Sequence, residues 1–314
     1  MRVGLGLAAL GRPSYINLGR ASDLPVDRSV DAMERCCHAM LDAAFAAGVR
    51  YVDAARSYGR AERFLGRWLR ERRLTPADVA VGSKWGYTYT ADWNPDAAVH
   101  EIKDLTAATL ERQVAESRAH LGPFLALYQI HSATLESGVL DDGRVLAALA
   151  ALAGEGLTIG LTVSGPRQAD TIRRAFQADG AGGNPFRCVQ ATWNLLEPSV
   201  GPALAEAHDR GWRVIVKESL ANGRLTSRGH ADPATVVGRI ARDLGASVDA
   251  VAMAAALAQP WADVVLSGAV TADQLASNLA SLDVRVDPSH TAALEAMAEP
   301  PDQYWRTRSR LPWS

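Results

Sequence analysis

Residues 79–89 read VAVGSKWGYTY, an apolar run that stops on a lysine. Lys and Arg together number 33, yet only Lys84, Lys103 and Lys217 are lysines. Wherever a plain surface cation is needed, the chain uses arginine. Lys84 and Lys217 each close an apolar run, VAVGSK and WRVIVK. An ammonium is a compact charge whose protonation responds to its surroundings, which a guanidinium's does not. Two strand-like runs thus end in cations chosen for chemistry, not solubility.

The form repeats outward in both directions. Short apolar runs lie near 3–8, 50–53, 79–84, 125–130, 157–163, 187–192, 212–217 and 263–267. Amphipathic helix patterns separate them, such as VDAMERCCHAMLDAAFAAG (30–48), TAATLERQVAESRAHLG (106–122) and VGPALAEAHDRG (200–211), each closing on glycine. Two helices fill the last gap, and two more come after the eighth run. Alternating strand and helix implies a parallel sheet. Eight such units closing on themselves make an α/β protein of the (β/α)8 TIM-barrel class, typically about 250 residues long. The surplus goes to inserted loops at 9–31 and 85–105 and a C-terminal tail at 299–314, with 1–314 as one domain. A doubly wound fold competes, because GLGLAA (4–9) satisfies a loose G-x-G-x-x-A. The next ten residues, LGRPSYINLG (10–19), are turn-like and start no helix, so the motif lacks its phosphate cradle. Gly4 and Gly6 instead read as places of close approach to the first strand.

Composition narrows the function. The 314 residues are 48% hydrophobic and 22% charged, with a formal net charge of −2. There is no Lys/Arg-rich run for nucleic acid or an anionic membrane surface. No apolar stretch reaches the roughly 18 residues of a membrane span. Three cysteines, two of them adjacent (Cys36 and Cys37), match neither a zinc site nor a disulfide framework. A reduced, cytoplasmic protein is expected.

In such barrels the active site lies at the C-terminal ends of the strands. The second strand ends at Asp53, with Tyr58 five residues on in YVDAARSYG. The third ends at Lys84 and the fourth at His131 in YQIHS. Singly, each has an ordinary structural explanation. Together on three consecutive strand tips, they assemble one piece of chemistry. Asp53 holds Lys84 charged and in place. The ammonium is expected to lower the pKa of the Tyr58 phenol, ordinarily about 10. The phenol then donates a proton to an oxygen gaining negative charge, and His131 hydrogen-bonds to the same oxygen. That is an apparatus for reducing a carbonyl. No side chain supplies a hydride, so a nicotinamide cofactor is implied.

At these residues the chain resembles a known family. VDAARSYGRAERFLG, GSKWG and YQIHS are similar to the aldo-keto reductase segments around the catalytic Asp, Tyr, Lys and His. The resemblance spans about nine tenths of the chain, from the first strand to the helix after the eighth. It implies the barrel, NAD(P)(H)-dependent interconversion of a carbonyl and an alcohol, and a tetrad of Asp53, Tyr58, Lys84 and His131. It places the nicotinamide amide near Gln190 and near Thr162 and Ser164, where the family's Ser-Asn pair is replaced. Lys217 falls where relatives often stack an aromatic on the nicotinamide, to meet substrate or phosphate, or to pair with Glu218. Leu220, Asn222 and Arg224 would line the pyrophosphate loop. In LSGAVTADQLASNL (266–279), Thr271 and Gln274 form a T-x-x-Q capping box, and a helix start after the last strand offers free N–H groups to an anion. Ser267, Gly268 and Asn278 complete the expected cofactor contacts. The family favours NADP(H), yet the places where it carries a cation for the 2′-phosphate read Gly268, Val270 and Gln274, which leaves NAD(H) open.

The loop after the third strand brings Trp85, Tyr87, Tyr89 and Trp93, and the tail brings Tyr304, Trp305 and Trp313. Loops of this kind form the mouth of a barrel site, and Trp85 and Trp93 are the expected substrate-pocket residues. Aromatic rings with polar tips suit a sugar-like or other cyclic polar substrate, and equally the packing of a long loop. The leading expectation is an oxidoreductase acting on a small-molecule carbonyl or alcohol. The alternative is a cofactor-binding barrel subunit that senses redox state with no significant turnover. No motif specifies the substrate, the direction of reaction or an oligomeric state.

Overall fold

Each apolar run becomes a strand because a parallel sheet covered by helices is buried on both faces. In the computed structural model, which describes residues 1–180, 182–229 and 235–313, the strands are β1 (Val3–Gly6), β2 (Tyr51–Asp53), β3 (Ala80–Trp85), β4 (Tyr87–Tyr89), β5 (Glu101–Lys103), β6 (Leu125–Ala133), β7 (Thr158–Val163), β8 (Phe186–Thr192), β9 (Arg213–Lys217) and β10 (Val264–Ser267). Eight of them close a parallel barrel in the order β1-β10-β9-β8-β7-β6-β3-β2. The remaining two, β4 and β5, form an antiparallel hairpin over its C-terminal rim.

The helices α1 (Val30–Ala46), α2 (Ala61–Glu71), α3 (Ala107–Leu121), α4 (Gly143–Gly154), α5 (Gln168–Phe176) and α6 (Gly201–Asp209) fill the first gaps. Two helices, α7 (Val236–Asp243) and α8 (Val248–Leu257), precede the last strand. After it come α9 (Ala272–Leu279), α10 (Pro288–Glu295) and α11 (Pro301–Ser309). None of the described helices is long and apolar enough to cross a membrane.

Two features differ from the sequence reading. The 85–105 insertion carries a hairpin whose three-residue strands are too short to show an alternating pattern. Gly86, at φ 105°, turns the chain out of β3 into it. The tail contains α11, a third helix after the last strand. Its only buried residue is Tyr304, so almost no apolar stripe announces it.

Side chains two apart on a strand share a face, and this sets the site's height. Tyr51, Leu127, Cys188, Ile215, Val264 and Leu266 pack together inside the barrel. Two residues further along β2, β6, β8 and β9 come Asp53, Gln129, Gln190 and Lys217. The apolar filling is thus capped by a polar layer at the C-terminal rim. The tyrosine needs space in this narrow interior, and glycines provide it. A Cβ built on Gly82 lies 2.1 Å from the Tyr51 hydroxyl, and one on Gly4 lies 2.9 Å from its ring. Gly82→Ala is therefore expected to lower the unfolding free energy by about 1–3 kcal/mol. Denaturant unfolding reads this, and an unchanged midpoint would show that Tyr51 is not wedged against that strand.

Candidate active site

Asp53 ends β2, in register with Gly6 of β1 and Gly82 of β3. Its carboxylate is fully engaged. Oδ1 accepts from Lys84 Nζ, and Oδ2 accepts from Gln190 Nε2 at 2.9 Å and the Tyr51 hydroxyl at 3.2 Å. Lys84 Nζ also donates to the Ala54 carbonyl at 2.9 Å. The two charged side chains are only 2% and 1% exposed. Removing one partner from such a pair typically costs about 3–5 kcal/mol, because the other charge stays buried and unpaired. The Lys84 ammonium lies 4.7 Å from the centre of the Tyr58 ring. His131, near the end of β6, meets that ring edge-on at 5.5 Å and the Tyr87 ring at 4.9 Å. The hydroxyl of Ser57 lies 3.4 Å from His131 Nδ1; a proton donated there leaves the ring hydrogen on Nε2. All four residues of the expected tetrad meet at one rim of the barrel.

The electrostatics correct one expectation. The phenol of Tyr58 is pushed well above its ordinary value, not below it. Burial is the largest cause, and the Asp53 carboxylate adds to it; Arg12 opposes both. Lys84, bonded to Asp53, is not among the main groups acting on the phenol. Burial likewise drives His131 well below the ordinary imidazole range, helped by Lys84, Lys217, Arg12 and Lys103. At neutral pH the site therefore presents a neutral phenol and a neutral imidazole.

A cleft of about 700 Å³ opens above the tetrad, within the usual range for a cofactor site. Asp53, Tyr58 and His131 line one end, together with Thr162, Ser164, Gln190 and Lys217. Leu220, Asn222, Ser267, Gly268, Gln274 and Asn278 line the remainder. Four expected contacts lie elsewhere. Arg224 is paired with Glu299 and sits 5.6 Å over the Tyr304 ring, away from the cleft. Thr271 caps α9 by accepting from Gln274 N, while Gln274 Oε1 takes Val270 N, so the capping box is shifted by one residue. Trp85 is fully buried beneath the rim. Trp93 packs its ring against Phe64, and its indole N–H donates to the Arg28 carbonyl at 2.7 Å. Both tryptophans are packing residues, Trp85 at the end of β3 and Trp93 in the loop beyond it, and neither lines the cleft.

Other side chains, scattered in sequence, build the mouth instead. Arg12 is 2% exposed, pairs with Glu101 of the hairpin at 2.9 Å, and lies 5.4, 5.0 and 4.9 Å from the rings of Tyr58, Tyr15 and Trp313. Buried Arg20 braces this loop by donating to the carbonyls of Pro13, Arg12 and Ala9. Trp313 is one of the tail aromatics expected at the mouth, whereas residues 12 and 101 share no motif or spacing and no sequence signal pointed to them. Lys217 forms no direct ion pair with Glu218. Its ammonium donates to Thr192 Oγ1 at 2.8 Å, and that hydroxyl donates to Glu218 at 3.1 Å. The carboxylate belongs to Arg308. Burial would raise Glu218, but Arg308 and Lys217 outweigh it and hold it at about 2. Burial brings Lys217 down to about 8, against the pull of Glu218. Lys217 is thus protonated below about pH 8 and neutral above it. With three lysines in the chain, amine labelling read by mass spectrometry resolves each one. Labelling at Lys217 is expected to rise through a midpoint near pH 8; a midpoint at the ordinary lysine value would mean the cleft does not desolvate it.

Comparison with known proteins agrees with this geometry. A family model described as the aldo/keto reductase family matches residues 33–299. Among solved structures, the holo form of an aldo-keto reductase from Bacillus halodurans is 18% identical over 95% of this chain and 92% of that one, with a TM-score of 0.70. A glycerol dehydrogenase from Gluconobacter oxydans is 21% identical over 94% of this chain and 90% of that one, with a TM-score of 0.69. At such identities the likeness speaks for the barrel. Among curated proteins none matches the chain by sequence. With the model covering most of the chain, and an Asp, a Tyr, a Lys and a His meeting at the C-terminal rim of a closed parallel barrel, the chain belongs to the aldo/keto reductase family, enzymes that interconvert carbonyls and alcohols.

Proposed function

We propose that this enzyme is an NAD(P)(H)-dependent oxidoreductase of small polar or cyclic carbonyls and alcohols, with Tyr58 as proton donor. The observation that carries the reading is the meeting of Tyr58, Lys84 and His131 around the buried Asp53 carboxylate, which Gln190 also contacts. The residues present suit a dinucleotide. The cleft is long, it passes the N-terminal turn of α9 with its free backbone N–H groups, and Asn222 in its wall keeps a buried Oδ1 without a hydrogen-bond partner. Gln190, Thr162 and Ser164 would hold the nicotinamide end, and Asn222, Ser267 and Gln274 the remainder. When bound, the nicotinamide supplies or accepts the hydride.

The chain's own residues handle the proton and the charge. Tyr58 donates to the carbonyl oxygen as negative charge develops on it. With Ser57 donating to Nδ1, the His131 hydrogen on Nε2 would stabilise the same oxygen and orient the substrate. Lys84 offsets the charge left on the phenol and is itself kept in place by Asp53 and Ala54. A neutral imidazole suits this role because it donates without adding a competing acid. In the oxidative direction the same groups act in reverse, with the phenolate side as base. The phenols of Tyr15 and Tyr87, the Trp313 indole and the Arg12–Glu101 pair make a mouth that is aromatic and polar at once, which supports a polyol-like or cyclic substrate. The three free cysteines are in keeping with a cytoplasmic setting.

Tyr58→Phe is expected to lower turnover by about 100- to 10,000-fold and leave nucleotide affinity near that of the wild type. Absorbance of the reduced nicotinamide with a panel of aldehydes and ketones measures the first, and tryptophan quenching the second. Undiminished turnover in the variant would remove Tyr58 from the mechanism. Nucleotide binding by the wild type without turnover of any carbonyl would favour a sensing role.

A further inference from the structure

We propose that the cleft selects NAD(H) over NADP(H), and that Asp249 and Asp273 are the residues that decide it. The inference rests on the dinucleotide reading above and deepens it. Hydride transfer has to occur beside Tyr58 and His131, so the nicotinamide belongs at that end. From there the cleft continues across the tips of β9 and β10 to the starts of α8 and α9. The adenosine half therefore lies at that second end, among carboxylates.

Asp249 is the second residue of α8 and Asp273 the second residue of α9, and both line the cleft. Asp249 is held in place, its Oδ2 accepting from Asn278 Nδ2 at 2.8 Å, while Asn278 Oδ1 accepts from the Ser267 hydroxyl at 2.8 Å. Oδ1 of Asp249 is left for a ligand hydroxyl. Among the described residues lining this end, Arg228 is the one cation, and it is already committed. Its guanidinium grips both oxygens of Asp23, one at 2.7 Å, and Gln274 Nε2 donates to the same carboxylate at 2.8 Å. The other cleft cations, Arg12, Lys217 and Arg308, stand at the mouth and the strand tips, each with its own partner.

A 2′-phosphate brings a charge of about −1.5 to −2. Here it would meet two carboxylates, and its nearest cation is neutralised by a third. A bare ribose 2′-hydroxyl is instead a donor, and a carboxylate is the acceptor it needs. The same side chains attract one nucleotide and repel the other, so selectivity comes from both terms.

Titration of the wild-type protein with NADH and with NADPH, followed by tryptophan quenching, tests this directly; Trp313 lines the cleft as a reporter. NADH is expected to bind about tenfold tighter or more, the scale of one close like-charge contact at a partly solvated site. Asp249→Asn with Asp273→Asn should cut the ratio of NADPH to NADH dissociation constants by about tenfold. Asp273→Asn alone, at an exposed position, should shift it in the same direction. Equal or tighter binding of NADPH by the wild type overturns the proposal, as does a ratio that the Asp273 variant leaves unmoved. Binding of neither nucleotide overturns the dinucleotide reading itself.

Discussion

The buried contact between Asp53 and Lys84 is the constraint around which the active end of this barrel is organised. Two opposite charges, each almost wholly removed from water, are tolerable only if every lone pair and proton finds a partner. The structure supplies partners from several strands. Tyr51 reaches up from the barrel filling, Gln190 reaches across from β8, and Ala54 offers its carbonyl. Gly82, in register with Asp53 on the neighbouring strand, leaves room for the Tyr51 hydroxyl that reaches this carboxylate. An ion pair of this kind contributes little net stability, but it admits one geometry. The Tyr58 ring packs beside its ammonium, and His131 meets that ring edge-on.

The same burial sets the protonation states. Desolvation holds the phenol and the imidazole neutral, and the nearest cation is already balanced by Asp53. On the proposed reading, Tyr58 does not donate as an acidified tyrosine waiting in the resting enzyme. It would act as a neutral phenol that becomes a useful acid only when a substrate oxygen beside it gains charge. Catalysis of this sort draws its advantage from preorganised donors in a dry site, since reorienting water is the cost they avoid.

Around that centre the rim is drawn tight by long-range contacts. Leu18 N donates to the Asn222 carbonyl, and Asn222 Nδ2 donates to Ile16, joining the β1–α1 insertion to the loop after β9. Ser132, Glu218, Ala221 and Asn222 all take positive φ, between 48° and 55°, in this region. Residues other than glycine accept that conformation at a cost, and such positions gather where a cleft has to keep its shape. The two ends of the cleft differ in charge: cations matched by Glu101 and Glu218 near the tetrad, unmatched carboxylates near α9.

The sequence by itself determined the eight-strand alternation and the candidate tetrad, because both are local. A strand announces itself by its apolar run, a helix by its period and its terminal glycine, and the barrel rule then puts Asp53, Tyr58, Lys84 and His131 at one rim. It determined neither the hairpin at β4–β5, whose strands are three residues long, nor the last helix, which buries a single tyrosine. Only the tertiary structure decided which aromatic residues face the cleft. Trp85, at the end of β3, and Trp93, against Phe64, pack into the main core, and Trp313 comes to the mouth from the far end of the chain. It also decided the company of each charge. Arg12 with Glu101, Arg308 with Glu218 and Arg228 with Asp23 join positions between 89 and 205 residues apart. The direction of the Tyr58 shift came from burial, a property of the assembled rim that no spacing along the chain expresses.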